Sequence, residues 1–150
     1  MSITTKTGDD GKSRWLGKVV DKDSPLLEAV GELDELQAVL GMVKMVERQK
    51  EIYEIMGELA YGKKINKIKN LNSKLENEIN KLEKELKPVT KFLIFKQEPA
   101  VMLNWARTVC RRAERRLVTL NKVSPIDLNI LIYFNRLSDY LFMMSRYKKE

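Results

Sequence analysis

Histidine is absent from this 150-residue chain, and cysteine occurs once, at Cys110. Without histidine there is no Ser-His-Asp or Cys-His nucleophile, no His-ligated zinc, and no histidine ligand for haem or cobalt. One cysteine excludes an internal disulfide and any cysteine-cluster metal site. Seven glycines and four prolines are few, which favours long helices over a turn-rich β fold. No run of 18 apolar residues occurs, and the N-terminus Met1-Ser-Ile-Thr-Thr-Lys6 is too polar for a signal peptide. A soluble, cytoplasmic protein is therefore expected, without a membrane partner. Its chemistry must rest on carboxylates, Lys and Arg, hydroxyls and backbone amides.

What is present points to one globular domain over 1–150, with 43% apolar residues to fill a core. The net charge of +7 is uneven: residues 1–62 carry a balance of −4 and residues 63–150 a balance of +11. Such halves can pair within a subunit, pair across an interface, or reflect an anionic ligand.

Residues 3–23 hold Gly8, Gly11 and Gly17 among polar residues with no helical period, and read as an extended loop. Ser24-Pro25 supplies an N-cap and a proline at the first helical position, opening an amphipathic helix to about Val46. Its apolar face is Leu26, Ala29, Val30, Leu33, Leu36, Val39, Leu40 and Val43, with Glu28, Glu32 and Glu35 as an acidic stripe. A second helix is expected from Gln49 to Lys64. A third, over 66–87, has a narrow stripe of Ile68, Leu71, Leu75, Ile79, Leu82 and Leu86 and ends at Pro88. Phe92-Leu-Ile-Phe95 reads as a buried loop or a one-turn extension. Residues 100–121 form a fourth helix, and Ser124-Pro125-Ile-Asp127 repeats the cap signal before a last one to about Tyr147. Four or five helices in sequence imply an all-α bundle from residue 24 onward.

The fourth helix concentrates charge. Arg107, Arg111 and Arg115 fall one turn apart on one stripe, with Glu114 among them and Ala106, Val109, Cys110, Ala113 and Leu117 opposite. Cys110, on the apolar face, reads as a core residue. Like charges at i, i+4 and i+8 repel, so the stripe needs an anion or a facing carboxylate. Three readings stand at this point: a solvated basic face, a nucleic-acid surface, and a polyphosphate site. Nucleic acid fits least, because no aromatics interleave the arginines and Glu114 would repel phosphate.

Thr5-Lys6-Thr7-Gly8-Asp9-Asp10-Gly11-Lys12-Ser13 has the look of a phosphate loop, with two glycines and two lysines, yet it also reads as a mobile arm. It is not a Walker A loop, since only two residues separate its glycines. In the last helix, apolar on nearly all sides and so expected to be central, Asn135, Ser138, Asp139 and Arg146 share one side. An Arg136–Asp139 surface pair with Asn135 bonded internally is one account of them. An Asn135 that faces a ligand is the other.

Taken together, these stretches resemble the PduO-type ATP:corrinoid adenosyltransferases. The family's Thr-x-Thr-Gly-Asp-x-Gly-x-Thr/Ser stands at Thr5 to Ser13, and its Glu-Ala-x-Gly-x-x-Asp-Glu-Leu at Glu28 to Leu36. Its Ala-Arg-Thr-x-x-Arg-Arg-Ala-Glu-Arg stands at Ala106 to Arg115, and its Asn-Arg-Leu-Ser-Asp-x-Leu-Phe at Asn135 to Phe142. The resemblance implies a ferritin-like up-and-down five-helix bundle, assembled as a homotrimer with active sites between subunits. It implies transfer of the 5′-deoxyadenosyl group of ATP to cobalt(I) of a corrinoid, with release of triphosphate.

By similarity, Thr5, Lys6, Thr7, Gly8, Asp9, Gly11, Ser13 and Lys22 would wrap the triphosphate, and Asn135 would bind the nucleoside end. Arg111 and Arg115 would neutralise the phosphates with Glu114 organising the site, and Asp34 would pair with Arg107 across the interface. Mg²⁺ would ride on the phosphates without a dedicated protein site. Phe92 matches the phenylalanine of the apolar wall behind which the family strips cobalt's lower axial ligand. A flavin-dependent reductase and an adenosylcobalamin-dependent enzyme are the further partners implied. A trimeric ATP- or corrinoid-binding or delivery protein of the same fold, with weak or lost catalysis, is the alternative.

The chain departs from the family on the corrinoid side. Phe95-Lys96-Gln97 stands where Pro-Gly-Gly is usual, and Asn104 stands for a histidine. With the last motif so near Glu150, a C-terminal segment that covers the corrinoid in some members is expected to be short or absent. The ATP motifs are whole.

Overall fold

The computed structural model describes residues 3–4, 6–62 and 64–148. Five helices follow a short hairpin: β1 (Lys12–Trp15), β2 (Lys18–Asp21), α1 (Pro25–Met42), α2 (Val46–Tyr61), α3 (Ile68–Glu85), α4 (Ala100–Val123) and α5 (Leu128–Tyr147).

The hairpin corrects the extended loop expected over 3–23. Trp15 faces Lys18 across a two-residue turn, and both turn residues have positive φ, 52° at Leu16 and 75° at Gly17. Two such residues in succession match the right-handed twist of paired strands, so the turn itself closes the hairpin. A leucine in the first position hid the signal.

α1 begins as read: Ser24 Oγ accepts from Leu27 N–H, with Pro25 at the first turn. It stops at Met42, four residues short of the expected end. Lys44 takes φ 58°, its N–H donating to the Gly41 carbonyl, while Met45 N–H donates to Leu40. This is a Schellman close with lysine where glycine is usual, which is why the boundary was not legible. α2 consequently starts at Val46, not Gln49, and ends at Tyr61 with Gly62 in the left-handed region. α3 lies two residues inside its expected bounds at each end. The α5 cap is Asp127, whose carboxylate accepts from Asn129 N–H at 2.8 Å; Ser124 instead closes α4.

α4 and α5 share the centre. α4 packs between α1 and α5, α5 between α4 and α3, and α2 lies on α1. The apolar face expected of α4 (Ala106, Val109, Cys110, Ala113 and Leu117) is buried throughout, against Leu33, Leu36 and Leu40 of α1 and Phe134, Leu137 and Leu141 of α5. Each of the large side chains contributes about 1.5–3 kcal/mol. α5 is not covered all round: Leu128 and Ile132 remain exposed. Cys110 is a core residue as expected. Its thiol leans on the Phe134 carbonyl, and burial, then Glu114, raise its pKa against the pull of Arg111.

Candidate functional site

The five arginines of α4 divide into two rows. α1 and α4 run antiparallel, so the acidic stripe of α1 climbs as the α4 sequence descends. Arg112 Nε donates to Glu32 at 2.6 Å and its Nη2 donates to Glu35, while Arg116 Nε lies 3.3 Å from Glu28. Hydrogen bonds donated to both glutamates raise the Arg112 pKa. The acidic-N, basic-C asymmetry is thus met in part within one chain.

The other row is Arg107, Arg111 and Arg115. Among the described residues, none of the three has a carboxylate within salt-bridge distance. Arg107 Nε donates to Asn104 Oδ1 at 2.9 Å, and burial, then the charge of Arg111, lower its pKa. Arg115 Nη1 donates to the Arg111 carbonyl at 3.2 Å. Of three guanidinium groups one turn apart, Arg107 thus has an amide partner and Arg115 a carbonyl. Asp34 is exposed on α1.

Glu114 and Asn135 join α4 to α5. Asn135 Nδ2 donates to Glu114 Oε1 at 3.3 Å, and its Oδ1 accepts from Arg136 Nη1 at 2.8 Å. Arg136 turns to Glu76 of α3 at 2.9 Å, so the Arg136–Asp139 pair considered from the sequence is replaced. Ser138 donates its hydroxyl to the Asn135 carbonyl. Partial burial raises the Asp139 pKa, with Arg136 and Arg111 opposing, so this carboxyl lies within the field of the bare row.

The N-terminal loop is organised around glycine carbonyls. Thr5 lies outside the described residues. Lys22 Nζ donates to the Gly8 carbonyl at 2.6 Å, and Lys22 N–H donates to Gly11 at 2.9 Å. A Cβ on Gly8 would meet Lys22 Nζ at 3.1 Å and the Lys12 carbonyl at 3.2 Å, so a larger residue there would make these neighbours give way. Lys12 N–H donates to Asp10. Lys6, Thr7, Asp9 and Ser13 lie along the same stretch, all exposed except the half-buried Ser13. Among the described residues no ion pair joins this loop to α4.

The segment between α3 and α4 is an open loop, not the buried loop or extra helical turn expected. Phe95 is buried and Phe92 is fully exposed. A cavity of about 530 Å³ lies behind it, walled by Phe92, Leu93, Phe95 and Phe142 with Asn104 and Arg107 opposite. Arg107 therefore stands where the bare row meets an apolar wall.

Sequence reading missed one polar cluster altogether. Arg48 of α2 bonds Glu51 at 2.9 and 2.7 Å and Glu78 of α3 at 2.6 Å, while Tyr133 of α5 donates to Glu51 at 2.7 Å. Its guanidinium stacks 5.0 Å from the Tyr140 ring. Burial opposes its charge, but Glu51 and Glu78 more than offset this and raise the Arg48 pKa; burial, then Glu51, raise that of Tyr133. The signal was present: Arg48 and Glu51 share the helical phase of Ile52 and Ile55, inside the apolar stripe.

Among the described residues no group of three His, Cys, Asp or Glu side chains converges on a metal position, and no helix is long and apolar enough to cross a membrane. A family model described as cobalamin adenosyltransferase matches residues 3–148. A corrinoid adenosyltransferase of Bacillus subtilis is 34% identical over 97% of this chain and 86% of its own. The human corrinoid adenosyltransferase MMAB is also 34% identical, over 97% of this chain and 68% of its own. Among solved structures, an arginine-to-lysine variant of a PduO-type ATP:co(I)rrinoid adenosyltransferase from Lactobacillus reuteri, complexed with ATP, superposes with a TM-score of 0.80. It is 33% identical, covering 98% of this chain and 94% of that one. A phenylalanine-to-histidine variant from the same organism, complexed with cobalamin and ATP, gives 0.82 at 31% identity, covering 99% and 91%.

Proposed function

The chain belongs to the cobalamin adenosyltransferase family, and on that premise we infer that it transfers the 5′-deoxyadenosyl group of ATP to cobalt(I) of a corrinoid. The bond from C5′ to the triphosphate oxygen breaks as the cobalt–carbon bond forms, and triphosphate departs. One observation carries the reading: Arg112 and Arg116 are neutralised by α1 while Arg107, Arg111 and Arg115, on the same helix, are not. Stacked like charges without protein carboxylates call for an anion of several charges, and a triphosphate supplies them.

Cobalt(I) is itself the nucleophile, so the protein needs neither histidine base nor side-chain nucleophile. Its task is to hold C5′ in line and stabilise charge gathering on the leaving group. Arg111 and Arg115 do this, with Glu114 organising them and Asn135 reaching the nucleoside. The loop of Thr5, Lys6, Thr7, Gly8, Asp9, Gly11, Ser13 and Lys22 wraps the phosphates. Mg²⁺ arrives on the nucleotide, where it offsets phosphate charge.

We read the active unit as a homotrimer of ferritin-like up-and-down bundles, with Asp34 of one subunit meeting Arg107 of the next. Phe92 forms the apolar wall under the corrinoid, where it keeps a lower ligand from cobalt. Cobalt(II) must first be reduced, so an electron donor such as a flavin-dependent reductase precedes the step and an adenosylcobalamin-dependent enzyme follows it.

Anaerobic incubation with ATP, Mg²⁺ and chemically reduced cobalamin, followed by absorbance, tests the proposal. A new cobalt–carbon spectrum is the expected result. ATP binding without that spectrum would leave a delivery protein in its place.

A further inference from the structure

Arg146 of α5 is only 8% exposed, and among the described residues it has no carboxylate partner. A buried guanidinium without a counter-charge is costly unless its N–H groups are spent well. Arg146 spends one on the loop: Nη2 donates to the carbonyl of Lys87, two residues beyond the end of α3. Its Nη1 lies 3.6 Å from Met143 Sδ, and its guanidinium carbon 5.9 Å from the Phe142 ring centroid.

From these contacts we propose that Arg146 is the positioning residue for the loop that carries Phe92. The chain leaves α3 at Leu86 and returns to helix at Ala100. Between them it is pinned at Lys87 by Arg146 and again at Phe95, which is buried. The intervening stretch contains Phe92, fully exposed, and Val89, half-exposed. Pro88 has no N–H to donate, which removes one backbone donor from the start of this stretch.

The same guanidinium faces Phe142, and Phe142 lines both the Phe92 cavity and a groove of about 450 Å³ on its other side, shared with Val89. One side chain thus fixes the root of the loop and the ring beneath it. A hydrophobic residue could fill the space but would leave the Lys87 carbonyl without this donor.

The inference rests on Phe92 being the wall under the corrinoid, and three variants of the full chain separate the two claims. In Arg146→Met, the corrinoid KM should rise about tenfold while the ATP KM stays within about twofold, as for a misplaced but remote support. The fraction of bound cobalt(II) cobalamin that is four-coordinate, read by electron paramagnetic resonance with ATP present, should fall as well. Arg146→Gln, too short to reach Lys87, carries the same two readouts should the methionine variant not fold. A wild-type corrinoid KM and four-coordinate fraction, or an equal rise in both KM values, would overturn the proposal. Phe92→Ala is the control. If it too leaves the four-coordinate signal intact, the assignment of Phe92 itself falls; if it abolishes the signal while the Arg146 variants keep it, only the positioning role falls.

Discussion

Arg48 lies 5% exposed between two glutamates under a tyrosine hydroxyl, whereas Arg111 stands on the open face of α4 with an arginine one turn to either side. The first is closed: Glu51 and Glu78 answer its charge inside the chain, Tyr133 donates to Glu51, and the cluster ties α2 to α3 and α5. The second is open, because the carboxylates of α1 reach only Arg112 and Arg116. The same side chain therefore serves cohesion where its partners are complete and awaits a ligand where they are withheld. Charge on a helix is informative only once its neighbours have been counted.

Breaking the closed cluster should have the largest effect. Arg48→Met leaves Glu78 without this partner and Glu51 with only the Tyr133 hydroxyl and Lys74 at 3.7 Å, and should cost about 3–5 kcal/mol of unfolding free energy by urea titration, the scale for removing one partner of a buried pair. ATP turnover by the folded fraction should be unchanged; if Arg48→Met folds at full stability, the contrast collapses. Arg111→Ala should do the reverse. It should lower kcat/KM for ATP by about 2 kcal/mol, as for a lost charged hydrogen bond, and relieve a few tenths of a kcal/mol of like-charge repulsion. Unchanged kinetics with unchanged stability would assign Arg111 to the solvated face.

A double-mutant cycle of Asp34→Asn with Arg107→Gln sharpens the boundary between the two kinds of arginine. A coupling of about 1.5 kcal/mol in subunit association, measured by sedimentation, is expected if a neighbouring chain supplies Arg107's carboxylate. Additive effects would leave Arg107 with Asn104 alone. The smallest effect belongs to Arg112→Gln. Its pairs with the half-buried Glu32 and the exposed Glu35 should be worth about 0.5–1 kcal/mol of stability, with ATP kinetics near wild type. A large kinetic loss there would show that the paired row also serves the nucleotide.

Much of this was legible before any coordinates. Helical period placed the buried face of α4, and the Ser24-Pro25 pair placed the start of α1, because capping and periodicity are local properties. The boundaries that escaped lay where a common residue took an uncommon backbone state, Leu16 in the hairpin turn and Lys44 at the end of α1. In the sequence Arg146 is one polar residue among four on α5, and its grip on Lys87 joins positions 59 apart.

The sequence by itself determined the helices, the α4 core face and the four motifs that carry the family, since each is a matter of residue type at short spacing. Tertiary structure decided which charges are answered. Glu32 meets Arg112 across 80 residues and Glu51 meets Tyr133 across 82, and only the antiparallel packing of α1 on α4 and the contact of α2 with α5 select those partners. Electrostatic energy depends on distance in space and on burial, neither of which spacing along the chain records.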